Sequence, residues 1–316
     1  MTTAFIFPGQ GSQAVGMGRN LAAAFPTARH VFDEIDDTLD QRLSRLMFEG
    51  PNTELMLTRN AQPALMAVSL AVIKVLEVEA KMELGDACTY VAGHSLGEYS
   101  ALAAARAIAL PAAARLLRIR GEAMQEAVPV GEGGMAALLG LDLSAVQSIA
   151  ADASNHSDGE VCEVANDNAP GQVVLSGSIA AVTRAIELAS ERGVRRAITL
   201  PVSAPFHCCL MKPAAEKVAN ELENTVIVPP LVPLIANVSA NEISDPETIR
   251  RLLVDQVTGM VRWRESVLYM VENGVDKLVE VGVGKVLGGL TRRINSDLST
   301  LSLQGPEDIE IFVKEL

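Results

Sequence analysis

Residues 89–107, TYVAGHSLGEYSALAAARA, join a short strand-forming run to an alanine-rich helical run through a five-residue turn. The turn, Gly93-His94-Ser95-Leu96-Gly97, fits G-x-S-x-G. In that motif a strand turns sharply into a helix and the serine is held at the tip. The helix N-terminus behind it aims free N–H groups at any developing oxyanion. A chain built around such a turn needs α/β construction, and the rest of the sequence agrees. Short β-branched runs alternate with long alanine- and leucine-rich runs throughout. Five residues with three fixed also recur by chance. A plainer reading makes Ser95 a helix N-cap, with Glu98 three residues on as its capping-box partner. A base, an oxyanion site and a substrate anchor elsewhere in the chain must decide between the two.

TAFIF (3–7) reads as a buried strand ending at Pro8 in the glycine-rich turn PGQGSQAVGMG. Helical patterns run to about residue 48, EGPN (49–52) breaks them, and a long apolar helix covers roughly 61–79. After the strand TYVAG and its turn, helices are expected over about 97–106 and 111–127. GEGG (131–134) is a hinge-like linker. Beyond it come strand MAALLG, helix DLSAVQSIAADAS, strand VCEVAND, strand QVVLSG, helix IAAVTRAIELASERG and strand RRAITLP. This βαββαβ order is a split-βαβ, ferredoxin-like unit. The expected organisation is an α/β body of residues 1–130 and 202–316, interrupted by a small subdomain of residues 131–201. The cleft between them is the expected ligand site.

Several function classes fall away on composition. With 316 residues and 49% hydrophobic content, the chain can bury a large core. A net charge of −13 argues against nucleic-acid binding, which needs a basic face. The four cysteines (Cys88, Cys162, Cys208, Cys209) include no C-x-x-C and read as reduced thiols of a cytoplasmic protein. The four histidines have no metal-ligand spacing, so no metal site is expected. No targeting segment is read at the start. The run ALMAVSLAVIKVLEVEA is broken by Lys74 and Glu77, and reads as a buried helix too short to span a bilayer.

Among the histidines, His94 adjoins Ser95 and is expected to point elsewhere. His30 and His156 lie in polar surroundings. His207, in PVSAPFHC at the exit of the small subdomain, is the candidate base, although a lone histidine is more often structural. GQGSQA (9–14) fits G-x-G-x-x-A, but Pro8 intrudes, a helix follows where a second strand belongs, and no acidic residue closes that strand. GVGKVLGG (282–289) lacks the phosphate-loop spacing and reads as a turn after the strand KLVEV. Of three arginines in RLLRIRGEAM, Arg115 and Arg118 share a helix face and Arg120 is rotated away. Facing inward, Arg120 would need an anionic partner.

FPGQGSQ, GHSLGEYSALAAA, RGEAMQEAVP, NAPGQVVLSG, PVSAPFHCCLMKPAAE and EVGVGKVLGGLTRRI occur in this order. Together they resemble the malonyl-CoA:acyl carrier protein transacylases of bacterial type II fatty acid synthesis, over nearly the whole chain. The resemblance implies an α/β-hydrolase-like core with a parallel sheet and an inserted ferredoxin-like subdomain. It implies Ser95 as nucleophile and His207 as base. It implies the backbone N–H groups of Gln10 and Leu96 as oxyanion hole, and Arg120 as the grip on the malonyl carboxylate. Gln256, in LLVDQV, would orient His207 through its backbone carbonyl. Phe206-His207 matches the pair that related domains associate with malonyl units. Val283 stands where a proline is common and Cys209 where alanine is frequent.

The resemblance further implies malonyl-CoA and an acidic acyl carrier protein as substrates, no resident cofactor, no membrane and a monomer. Repulsion between two acidic proteins must then be overcome locally. Arg195, Arg196, Lys285, Arg292 and Arg293 are the candidate docking residues. A serine thioesterase with the same elbow is the main alternative. A malonyltransferase serving a polyketide carrier and a catalytically silent carrier-binding scaffold follow it.

Overall fold

The computed structural model describes residues 2–155, 159–202 and 204–314. Its strands are β1 (Thr3–Phe7), β2 (Tyr90–Gly93), β3 (Gly133–Leu139), β4 (Cys162–Ala169) and β5 (Gln172–Ser178), then β6 (Arg196–Thr199), β7 (Leu234–Ile235), β8 (Glu242–Ile243), β9 (Lys277–Val281) and β10 (Ser299–Leu303). They form a six-stranded sheet of order β10-β9-β1-β2-β7-β8 and a four-stranded sheet of order β4-β5-β3-β6. The large sheet is parallel except for the β7–β8 pair. Its inner strands β9, β1, β2 and β7 are buried on both faces, as in parallel sheets. Alternate residues of β1 serve opposite faces: Phe5 and Phe7 pack with Leu65, Val68 and Val72, while Ala4 and Ile6 pack with Trp263, Val267 and Met270.

The small sheet is fully antiparallel. The same period-2 logic splits β3. Ala136 and Leu138 face the helices Leu143–Ser154 and Ile179–Glu191, and Met135 and Ala137 join the core of the large sheet. Half of the expected linker GEGG is strand, because Gly133 and Gly134 pair with Ser178 and Gly177. β4 fastens the small sheet to the body. The Val261 N–H donates to Ala165 O at 2.8 Å, the Asp167 N–H donates to Val261 O at 3.0 Å, and Arg264 Nη2 lies 2.7 Å from Asp167 Oδ2.

The apolar helix corrects the reading of its length. It spans Thr58–Glu79, 22 residues, and is long and apolar enough to cross a membrane. Most of that stretch is buried inside the fold, so it serves as a core helix. It starts three residues earlier than expected and brings Thr58, Asn60 and Gln62 into the interior, each at most 2% exposed.

Candidate active site

β1 and β2 are parallel neighbours with Phe7 opposite Gly93, so the turns leaving both strands emerge side by side. Such carboxyl-end crevices are where open α/β sheets bind ligands. The contact is tight: a Cβ on Gly9 would lie 2.8 Å from His94 O. The elbow is tighter still. A Cβ on Gly93 would sit 1.9 Å from Gly97 C, and one on Gly97 would sit 2.2 Å from Phe7 O. No other residue fits at either position without moving backbone. Ser95 itself adopts φ 52, a left-handed conformation that places its side chain at the tip.

The helix Gly97–Ala104 has Leu96 at its N-cap, without a side-chain cap. The capping-box reading of Ser95 and Glu98 is therefore overturned. Glu98 Oε2 instead accepts from Gln256 Nε2 at 2.8 Å and from the Asn237 N–H at 3.1 Å. The backbone N–H groups of Leu96 and Gln10 donate to no acceptor among the described residues, and both residues line the cavity. The Gln10 side chain is anchored through the Thr58 hydroxyl, which donates to its Oε1 at 2.9 Å.

Ser95 Oγ and His207 Nε2 lie 2.8 Å apart. His207 is 4% exposed, and its Nδ1 lies 2.9 Å from Gln256 O in the helix Pro246–Thr258. A carbonyl can only accept, so Nδ1 carries the proton and Nε2 presents its lone pair to the serine. Burial and the nearby Arg120 charge push the imidazole down to about 3, so it is neutral. His94 turns away, with Nε2 2.8 Å from Asn168 Oδ1 and its ring beside Trp263. His30 is exposed, and His156 lies outside the described residues.

Arg120, on the helix Leu110–Glu126, is 1% exposed and points into the same site. Its Nη2 donates to Ser95 Oγ at 3.0 Å and to Gln256 Oε1 at 2.9 Å, and Nη1 donates to Gln62 Oε1 at 2.7 Å. Its Nε has no partner among the described residues. The expected anionic contact is thus replaced by neutral oxygens. The buried carboxylate of Glu98 acts on it only from across the Gln256 amide. Arg115 is exposed and Arg118 is half-buried against Gln41.

Three positioning side chains escaped the sequence reading: Gln62, Asn237 and Asn168. Asn237 follows β7, β2's neighbour. Its Oδ1 accepts from the Ser95 N–H at 2.8 Å, and its Nδ2 donates to Gly93 O at 2.6 Å. A buried polar residue in an apolar run was the available signal for Gln62. The others become visible only when the strands are assembled. The cavity above Ser95 holds about 220 Å³ and is walled by Met56, Met124, Met135, Leu200, Val202 and Phe206, with Gln10 and Asn166 at polar positions.

The candidate docking arginines gather at the rim of the small sheet. Arg195 and Arg196 are exposed at the edge strand β6, and Arg195 abuts Gly140, whose N–H donates to Gly171 O. Arg293 reaches the same β4–β5 turn at Pro170 O and Gln172. Lys285 and Arg292 are exposed at either end of the helix Val286–Ile294. None of Arg195, Arg196, Lys285 and Arg292 has a carboxylate oxygen within 4.0 Å among the described residues. The four cysteines are free, and burial holds Cys208, next to His207 in sequence, up at about 11.

Residues 4–293 match the family model of the acyl transferase domain. A malonyl CoA-acyl carrier protein transacylase of Bacillus subtilis is 46% identical over 313 residues, covering 99% of this chain and 96% of that one. The crystal structure of an acyl-carrier-protein S-malonyltransferase from Bartonella henselae superposes with a TM-score of 0.96 at 54% identity, over 100% of this chain and 99% of the other. A malonyl-transacylase solved in complex with a type II polyketide-synthase acyl-carrier protein gives a TM-score of 0.95 at 41% identity, with each chain covered 100%.

Proposed function

The chain belongs to the acyl transferase domain family, among the malonyl-CoA:acyl carrier protein transacylases, and from that membership we propose how its residues divide the work. The activity is transfer of a malonyl group from malonyl-CoA to acyl carrier protein, in fatty acid synthesis. Ser95 Oγ attacks the thioester carbonyl while its proton passes to His207 Nε2. The backbone N–H groups of Gln10 and Leu96 receive the oxyanion; losing one such donor typically costs roughly 10²–10³ in rate. Collapse breaks the C–S bond, His207 returns the proton to the departing CoA thiolate, and a malonyl-Ser95 ester remains. The phosphopantetheine thiol of the carrier then enters, gives its proton to His207 and attacks the ester; the acyl–Oγ bond breaks, His207 returns the proton to the Ser95 oxygen, and the carrier leaves with the acyl group.

The observation that supports this reading most is the 3.0 Å contact from Arg120 to a serine oxygen that is itself 2.8 Å from His207. A guanidinium there holds a dicarboxylic acyl group with its thioester over the nucleophile. Arg120 also weakens the base by its charge. A bound carboxylate cancels that charge, so His207 gains basicity when malonyl, rather than a neutral acyl group, occupies the site. The steps need no resident cofactor.

We assign residues 131–201 to an inserted subdomain and 1–130 with 202–316 to the catalytic core, supported by the separate sheet and apolar cluster of the former. A cytoplasmic location fits the free cysteines, and a monomer is what the family resemblance suggests. The test of the function is label transfer from malonyl-CoA with and without the phosphopantetheine-bearing carrier. Label is expected on the carrier, and its appearance mainly as free malonate would establish a hydrolase instead.

Carrier docking falls to the rim arginines. Arg196→Glu is expected to raise the KM for carrier protein several-fold and to leave the KM for malonyl-CoA nearly unchanged, because a rim charge mainly governs encounter with an acidic partner. Steady-state kinetics with each substrate varied in turn checks this, and equal effects on both would remove the residue from the docking surface.

A further inference from the structure

We infer that Glu98 is a positioning residue for Arg120, acting through the Gln256 amide, and that it takes up a proton when an acyl carboxylate docks on Arg120. The inference rests on the reading above that Arg120 receives the malonyl carboxylate.

Glu98 is fully buried, and its Oε1 has no partner among the described residues. Its Oε2 holds Gln256 Nε2, and Gln256 Oε1 accepts from Arg120 Nη2. The amide is therefore turned with its N–H toward the carboxylate and its carbonyl toward the guanidinium. Gln256 Nε2 also reaches Ser95 O at 2.9 Å, which ties the same unit to the nucleophile's own backbone. Before substrate binds, one buried anion balances one buried cation across one amide. A second carboxylate arriving on Arg120 leaves a surplus negative charge in a low-dielectric interior, which is costly. Protonating Glu98 removes it without breaking the bonds that its Oε2 accepts.

Burial already lifts this carboxyl to about 7, against the downward pull of Gln256, Asn237 and Arg120. Occupation of Arg120 by substrate weakens that pull and raises the carboxyl further. Between these two values the free protein holds Glu98 ionised and the complex holds it protonated. Malonyl affinity then falls as pH rises through the window, by up to about tenfold per pH unit, and levels off below it, where Glu98 is protonated in both states. Of the other titratable groups around the site, His207 also rises with a docked carboxylate, but it starts far below this range. Tyr99, on the same helix, is pushed up to about 12 by burial, His207 is down at about 3, and burial lowers His94. Asn237, Gln62 and Gln256 do not titrate.

The test is calorimetric titration of the full chain carrying Ser95→Ala, in buffers of different ionisation enthalpy, with malonyl-CoA and with acetyl-CoA. Acetyl-CoA carries the same phosphates and lacks the carboxylate. The expected result is uptake of about one proton near pH 7–8 for malonyl-CoA in excess over acetyl-CoA, lost when Glu98→Gln is added. Equal uptake for both ligands, or uptake that persists with Glu98→Gln and so belongs to His207, overturns the proposal. If Glu98→Gln does not fold, the infrared difference spectrum of the Ser95→Ala chain decides: a protonated-carboxyl band must appear with malonyl-CoA and not with acetyl-CoA. Arg120→Ala separates the two levels. If that change leaves malonyl-over-acetyl preference intact, the carboxylate does not sit on Arg120 and the underlying reading fails. If preference is lost but no proton is taken up in the Arg120-intact chain, only the role of Glu98 fails.

Discussion

Replacing Ser95 with alanine is expected to eliminate the malonyl-enzyme ester and to lower carrier malonylation by roughly 10⁶-fold, the loss seen when the nucleophile is removed from a Ser-His machine. The structure explains why no neighbour takes over. Cys208 adjoins His207 in sequence, yet its thiol is buried, hydrogen-bonded to Pro205 O and held protonated up at about 11. The hydroxyl of Thr58 is committed to Gln10. Intact-mass measurement after exposure to malonyl-CoA reads the outcome directly, and an adduct of malonyl mass on the alanine variant would put the nucleophile elsewhere. The proposed oxyanion donors are backbone N–H groups of Gln10 and Leu96, so the variant keeps them, and its residual rate measures what they contribute alone.

Arg120→Ala is expected to lower kcat/KM for malonyl-CoA by about 2–5 kcal/mol of transition-state stabilisation, the cost of truncating one partner of a buried charge pair. Acetyl-CoA use falls far less, so the malonyl-to-acetyl ratio drops by roughly 10²-fold or more. The ratio is the better readout, because alanine also strips Gln62 and Gln256 of a bonding partner and disturbs both substrates alike. Arg120→Lys is expected to recover only part of the preference, since an ammonium cannot reproduce the fork. Competition of the two thioesters for one enzyme sample measures the ratio, and an unchanged value would remove Arg120 from carboxylate recognition.

Much of this site was legible along the chain because its local geometry is stereochemically forced. Gly93 and Gly97 announce the elbow, since a methyl at either position would strike backbone within 2.2 Å. The alternating burial of β1 and β3 follows from the pleat, and the βαββαβ order survives into the small sheet. His207 was a candidate base from its loop at the exit of the small subdomain, whereas the roles expected of Arg120 and Gln256 came from resemblance to a family, and periodicity would have left Arg120 an ordinary helical arginine. The readings that failed were those requiring knowledge of neighbours. Glu98, three residues after Ser95, looked like a capping partner. It is drawn away because Asn237 and Gln256 offer it donors in the interior. The helix Thr58–Glu79 looked too short and is long enough, and only the layers packed around it make it a core element.

Adjacent residues account for the strand, the glycine-framed turn and the helix behind it, whereas the left-handed Ser95 is held from distant elements by Asn237 and Gln256. The tertiary structure decided which distant groups those conformations would meet. Ser95 Oγ meets the imidazole of His207 112 positions away and the side chain that steadies its backbone 142 positions away. The reason is that φ and ψ preferences act within a few residues, whereas partners are assigned by the order of strands in the sheet. That order places β7 beside β2 and so delivers Asn237 to the elbow.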